Sequence, residues 1–235
     1  MPEVSGLFIT GTDTGVGKTF IGAALVRALK RSGLKVWVRK PVETGCVRTP
    51  SGLLPQDAQL LNRAAGDLEP LKTVCPYRFE AAVSPERAAR LCGQALELEL
   101  LVEACRPPGK GVMLVEGAGG FYSPIAAASL NADLAQALAF PVLVVAADRL
   151  GVIHQVLTTL EAVASRGLDS VGVVLNQIRR SDAPTMDNFE DLQRFSQAPI
   201  YPVPFLPPGD EIVLEQALRP LIERLKSLWL ATPEQ

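Results

Sequence analysis

The residues with the densest chemistry lie between an apolar run and a helical pattern: Gly11-Thr12-Asp13-Thr14-Gly15-Val16-Gly17-Lys18-Thr19. Glycines let successive backbone N–H groups converge on one anion, the helix that follows adds its positive end, and Lys18 adds a mobile charge. The Thr19 hydroxyl is placed to bind Mg²⁺. Strand, glycine loop and helix in that order predict a polyphosphate-binding loop. Five residues separate Gly11 from Gly17-Lys18, where the common pattern has four, so the loop is a lengthened variant.

A nucleotide with Mg²⁺ needs one or two carboxylates beside that hydroxyl. Glu116 ends an apolar run and precedes Gly117-Ala118-Gly119-Gly120, read as a loop that lets a ligand approach the backbone. Carboxyl ends of parallel strands form the ligand crevice of open sheets, so Glu116 is expected to face phosphates. Asp57 opens a helical pattern and reads as a helix cap or a metal ligand. Lys40 ends another run, before Pro41-Val42-Glu43-Thr44-Gly45, and reads as a crevice lysine or a surface one. Asn176 ends a further run; its amide suits adenine and equally suits a turn cap. His154 alone offers no nucleophilic or zinc chemistry with Cys46, Cys75, Cys92 and Cys105, which read as reduced structural thiols.

These positions need elements to hold them. Gly6–Thr10, Gly111–Glu116, Pro141–Ala147 and Ser170–Asn176 are near-continuous Val/Ile/Leu runs, as strands buried on both faces read. Lys35–Lys40 alternates more, like a strand near an edge or a cleft. Helical spacing marks Thr19–Arg31, Asp57–Ala65, Gln94–Ala104, Val152–Ser165 and Asp210–Trp229. Strand and helix alternate, so the expectation is one α/β domain over 1–235: a P-loop NTPase-like parallel β-sheet flanked by helices on both faces.

Composition excludes other classes. Twenty-three basic against twenty-five acidic residues leave no net positive field for nucleic acid. No apolar run reaches the ~18 residues of a membrane span. The start, Met1–Gly6, lacks the basic region of a signal peptide, which points to the cytoplasm.

Together the motifs resemble the dethiobiotin synthetase family. Gly11–Thr19 is similar to its lengthened loop (GTDTxVGKT), Lys40–Gly45 to its KPVxTG segment, and Glu116–Gly120 to EGAGG. Asp57-Ala58, Leu150-Gly151, Asn176 and Val203-Pro204-Phe205-Leu206 complete the order from about Leu7 to Leu206. The resemblance implies an ATP-dependent carbon–nitrogen ligase acting on diaminopelargonate and CO₂ or bicarbonate. It implies that Lys18 and the backbone of Gly15, Val16, Gly17, Lys18, Thr19 and Phe20 hold phosphates, with Gly117, Ala118 and Gly119 nearby. Thr19, Asp57 and Glu116 would hold Mg²⁺, and Lys40 would be the active-site lysine. Thr14 and Thr44 would face the substrate. Asn176, Gln177, Pro204, Phe205, Leu206 and Glu211 would surround adenine. Gly151 and Val152 would receive the substrate carboxylate across a homodimer interface.

Gly15 stands where some members carry Glu, and Phe205 where some carry Trp. Two relatives of the same fold fit less well. Cobyrinate-type amide ligases need a glutaminase domain, for which 235 residues and one His leave no room. Partition-type switch ATPases place a second lysine early in the loop, where this chain has Asp13. Pro220 and mixed charges make the last helix a core-packed element rather than a membrane anchor.

Overall fold

A computed structural model of the chain describes residues 5–179, 185–207 and 209–230. The expectation about Met1–Val4 lies outside them, as does Pro208 of the Pro-rich stretch. The strands are β1 (Ser5–Gly11), β2 (Val36–Arg39), β3 (Val42–Thr44), β4 (Val47–Thr49), β5 (Gly52–Leu54), β6 (Tyr77–Phe79), β7 (Val112–Gly120), β8 (Pro124–Ala126), β9 (Ser129–Leu130), β10 (Val142–Ala147), β11 (Ser170–Asn176) and β12 (Ile200–Val203). The helices are α1 (Lys18–Arg31), α2 (Gln56–Ala65), α3 (Leu71–Val74), α4 (Pro85–Leu91), α5 (Leu98–Ala104), α6 (Asn131–Leu138), α7 (Val152–Ser165), α8 (Asn188–Phe195) and α9 (Glu211–Leu230).

Six strands form one sheet in the order β12-β11-β10-β1-β7-β2, every pairing parallel. The strand order reverses at β1, which has β10 on one side and β7 on the other. A crevice opens at the carboxyl ends there. The alternating segment, read as a strand near an edge or a cleft, is β2, one of the two sheet edges.

Pleating sends successive side chains of one strand into two different cores. Leu7 and Ile9 pack with Leu25 and Leu29 of α1, Leu61 of α2, and Leu214, Leu218, Leu221 and Leu225 of α9. Phe8 points the other way, to Met113, Val115, Leu134, Val156 and Leu192. Helices therefore cover both faces. The helix α9 continues through Pro220 and buries Leu214, Leu218, Leu221 and Leu225 in the core shared with α1, leaving Leu228 exposed, so it is a core element as its pattern predicts. Among the described residues no helix is long and apolar enough to cross a membrane.

Two expectations need correction. The pattern over Gln94–Ala104 yields a helix only from Leu98, because the Leu96 carbonyl accepts a hydrogen bond from Ala127 N–H at 2.7 Å and Glu97 is extended. Tertiary pairing there overrides helical propensity. The Gly117–Gly120 loop is instead the end of β7, with Gly120 paired to Gly11 after a register shift. Glycine at 117 leaves room for the buried Asn131 side chain of α6; a Cβ there would lie 2.7 Å from Asn131 Oδ1.

Candidate active site

The phosphate loop leaves β1 at Gly11 and enters α1 at Lys18. Gly17 caps α1 at φ 96°, a left-handed conformation that favours glycine. Its face is closed by Asn176 of β11, whose amide N–H donates to the Val16 carbonyl at 3.0 Å. That places the Asn176 side chain against the phosphate loop, holding the Val16 carbonyl. Asp13 accepts from Thr14 N–H at 2.7 Å and faces Arg149 at 3.4 Å, so the position of the switch ATPases' second lysine is an occupied carboxylate.

A cleft of about 580 Å³ lies over the loop. Of the residues expected around the reaction, it is lined by Thr14, Gly15, Gly17, Lys18, Thr19, Phe20, Lys40, Thr44, Asp57, Glu116, Ala118 and Gly119. Lys40 follows β2 and is 4% exposed, so the surface-lysine option does not describe it. Its Nζ lies 2.5 Å from Glu116 Oε1, 3.3 Å from Asp57 Oδ2 and 3.2 Å from the Gly117 carbonyl. Burial works against the Lys40 charge, but the Glu116 and Asp57 carboxylates outweigh it and hold the amine above the usual lysine range. Lys18, which donates to the Asp13 carbonyl at 3.0 Å, goes the other way. Burial and the neighbouring Lys40 charge push it down to about 8.

Glu116 is fully buried in β7. Its Oε1 also accepts from the Thr19 hydroxyl at 2.8 Å, and its Oε2 has no hydrogen-bond partner among the described residues. A buried carboxylate oxygen without a partner, beside a hydroxyl and the half-exposed Asp57, is a hard-oxygen set that fits Mg²⁺. Among the described residues no three His, Cys, Asp or Glu side chains gather to hold a metal unaided. Mg²⁺ at nucleotides characteristically completes its shell with phosphate oxygens and water.

The remaining expected residues lie outside the cleft lining. Val16 is buried in the core below the loop, and the Gly117 carbonyl is held by Lys40 Nζ. Gln177 joins the second segment expected at adenine, accepting from Phe205 N–H at 3.1 Å. Pro204 and Phe205 are exposed, Leu206 packs partly on the core, and Glu211 pairs with Arg27 at 3.5 Å. Gly151 caps α7 at φ 89° and Val152 is buried behind it.

Sequence reasoning missed two residues. Asn131, fully buried at the start of α6, accepts from Ala118 N–H at 2.9 Å. It donates to the carbonyls of Ala118, Gly120 and Ser123 at 2.7, 3.2 and 3.1 Å. It thereby fixes the end of β7. Glu43 lines the cleft at 6% exposure, with burial pushing its carboxyl upward. Its place beside Thr44 was a usable signal; nothing local marked Asn131.

A family model described as an AAA domain matches residues 5–209. The chain is 45% identical over 183 residues to ATP-dependent dethiobiotin synthetase BioD of Anaeromyxobacter dehalogenans (strain 2CP-C), covering 77% of this chain and 80% of that one. It is 44% identical to the same-named protein of Ruthia magnifica subsp. Calyptogena magnifica, over 75% and 81%. The same-named protein of Rhodopirellula baltica (strain DSM 10527 / NCIMB 13988 / SH1) is 38% identical over 88% and 86%. Among solved structures, the MinC:MinD cell division protein complex of Aquifex aeolicus shares the fold, with TM-score 0.52 at 15% identity over 99% and 98%. The geometry around the lengthened loop and these identities agree: the chain belongs to the ATP-dependent dethiobiotin synthetase family, a family of carbon–nitrogen ligases.

Proposed function

We propose that this chain converts 7,8-diaminononanoate (diaminopelargonate), CO₂ and MgATP into dethiobiotin, ADP and phosphate. The observation that carries the reading is Lys40, a buried cation held between Glu116 and Asp57 at the mouth of the phosphate loop. One substrate amine adds to CO₂ and loses a proton, giving a carbamate. A carbamate oxygen attacks the γ-phosphorus of ATP and ADP leaves. The second amine then attacks the carbonyl carbon of the carbamic-phosphoric anhydride; phosphate departs, a proton is lost and the ureido ring closes.

Positioning and charge neutralisation are what such a transfer demands of a protein. The backbone from Gly15 to Phe20 and Lys18 would hold the β- and γ-phosphates. Thr19, Asp57 and Glu116 would hold Mg²⁺, which supplies charge neutralisation on those phosphates. Lys40 would neutralise the carbamate and the moving phosphoryl oxygens, with Thr14 and Thr44 hydrogen-bonding the carbamate end. Asn176, Gln177, the Pro204–Leu206 segment and Glu211 would bound the base. The α7 start at Gly151 and Val152 lies outside this cleft, which suits a homodimer in which a second copy offers that helix end to the substrate carboxylate. The reading includes a cytoplasmic enzyme with small-molecule substrates and neither nucleic acid nor membrane as partner.

Phosphate release from MgATP by the purified protein tests it. Release that requires diaminopelargonate and bicarbonate together, with dethiobiotin in equal amount, is the expected result. Slow release indifferent to both would overturn it.

A further inference from the structure

Helix α2 starts on Pro55, whose side chain gives no acceptor to the first turn. Helix starts leave amides unpaired, and a side chain at the cap position normally takes them. Here the acceptor arrives from another element. The N–H groups of Asp57 and Ala58 donate to Glu43, one to each carboxylate oxygen, at 3.0 and 2.9 Å. Glu43 belongs to β3, and the whole β4–β5 hairpin lies between it and α2.

A carboxylate bound through both oxygens fixes position and direction together, and a negative charge is favoured at a helix start. One amide it fixes is that of Asp57, whose carboxylate reaches Lys40 Nζ. The next residue on β3 is Thr44, another cleft residue. We propose that Glu43 is a positioning residue: it caps α2 from β3, aims the Asp57 carboxylate at the Mg²⁺ position, and ties that carboxylate to the strand carrying Thr44. The proposal rests on the reading of Thr19, Asp57 and Glu116 as the metal side of the cleft.

Fluorescent mant-ADP binding, first in EDTA and then across a Mg²⁺ titration, separates this role from general stability. Glu43→Ala should bind mant-ADP in EDTA within about twofold of wild type, since the phosphate loop is untouched. The Mg²⁺ concentration for half-maximal tightening should rise about tenfold or more, the range for losing a group that orients a metal ligand. Adding Pro55→Ser supplies a local cap at a residue already extended, at φ −82° and ψ 101°. Glu43→Ala/Pro55→Ser should return the Mg²⁺ midpoint towards wild type. If Glu43→Ala does not fold, Glu43→Gln, which keeps one acceptor, is read in the same way.

An unchanged midpoint in the folded Glu43 variant, with Asp57→Asn shifting it, overturns the proposal and leaves the site reading standing. No shift in Asp57→Asn either would remove Asp57 from the metal side itself. A shifted midpoint that the Pro55→Ser cap leaves uncorrected would mean that Glu43 acts in the cleft and not through α2.

Discussion

Replacing Lys40 with alanine removes the cation between two carboxylates, and the geometry sets the size of the effect. At 2.5 Å from Glu116 Oε1, with an effective dielectric near 20, the gross attraction is about 7 kcal/mol. Desolvation of both groups offsets most of that, so the intact pair is nearly neutral for stability. Removing one partner is different, because Glu116 stays at 0% exposure with its charge uncompensated. Such a one-sided break costs about 3–5 kcal/mol. For a chain of this length that lowers Tm by roughly 6–20 °C.

The sign with pH follows from the raised Lys40 value. The pair's contribution is fully present below the unfolded lysine value of about 10.4 and is lost only as pH rises past it towards the folded one. The deficit should therefore be flat through neutral pH. Scanning calorimetry of Lys40→Ala in EDTA, then with Mg²⁺ and ADP, is the assay. The deficit should be large in EDTA and should shrink with Mg²⁺ and ADP, because a cation then compensates Glu116 and Asp57. Turnover should fall on the order of 10²–10³-fold, as for loss of one charge-stabilising contact, with ADP affinity in EDTA little changed. A Tm in EDTA within about 2 °C of wild type, or a deficit of the same size under both conditions, would refute the reasoning.

Lys18, pushed down to about 8, should make nucleotide affinity weaken as pH rises through that value. Phosphate oxygens favour its charged form, so binding near pH 8 should take up protons, measured by titration calorimetry in buffers of different ionisation enthalpy; zero uptake would contradict the shift. Asn131→Ala removes four hydrogen bonds from a fully buried amide, at roughly 0.5–1.5 kcal/mol each. Urea unfolding should show a midpoint lower by the equivalent of about 2–6 kcal/mol with an unchanged slope, and a loss under about 1 kcal/mol would count against that clamp.

The crevice was legible where its residues follow one rule. Gly11 and Lys40 stand at or just past strand carboxyl ends that apolar runs reveal to within a residue, while Glu116 lies four residues before the end of β7, which the glycines after it disguise as a loop. The α7 limits at Val152 and Ser165 were legible too, from helical spacing after a glycine. What sequence could not give was a set of partners fixed only by tertiary approach. Asn176 is an example: the closeness of β11 to the loop, which brings its amide to the Val16 carbonyl, has no mark in the local sequence. The short pairs β3–β6 and β8–β9 have too few residues to show a period. The start of α4 could have been read from Ser84-Pro85-Glu86, a cap residue followed by proline at the first helical position.

The central place of β1 has a consequence for how the chain is made. Both its neighbours in the sheet come much later in sequence: β7 begins at Val112, and β10 at Val142, roughly 130 residues after β1 ends. On a ribosome adding ~5–20 residues per second, the apolar strand that bears the phosphate loop waits about 7–26 s for its second neighbour. During that time Leu7, Phe8 and Ile9 lack the parts of their cores that β10, α7 and α9 supply. The sheet that supports the phosphate loop is therefore completed late in synthesis, although the loop itself is among the first segments made.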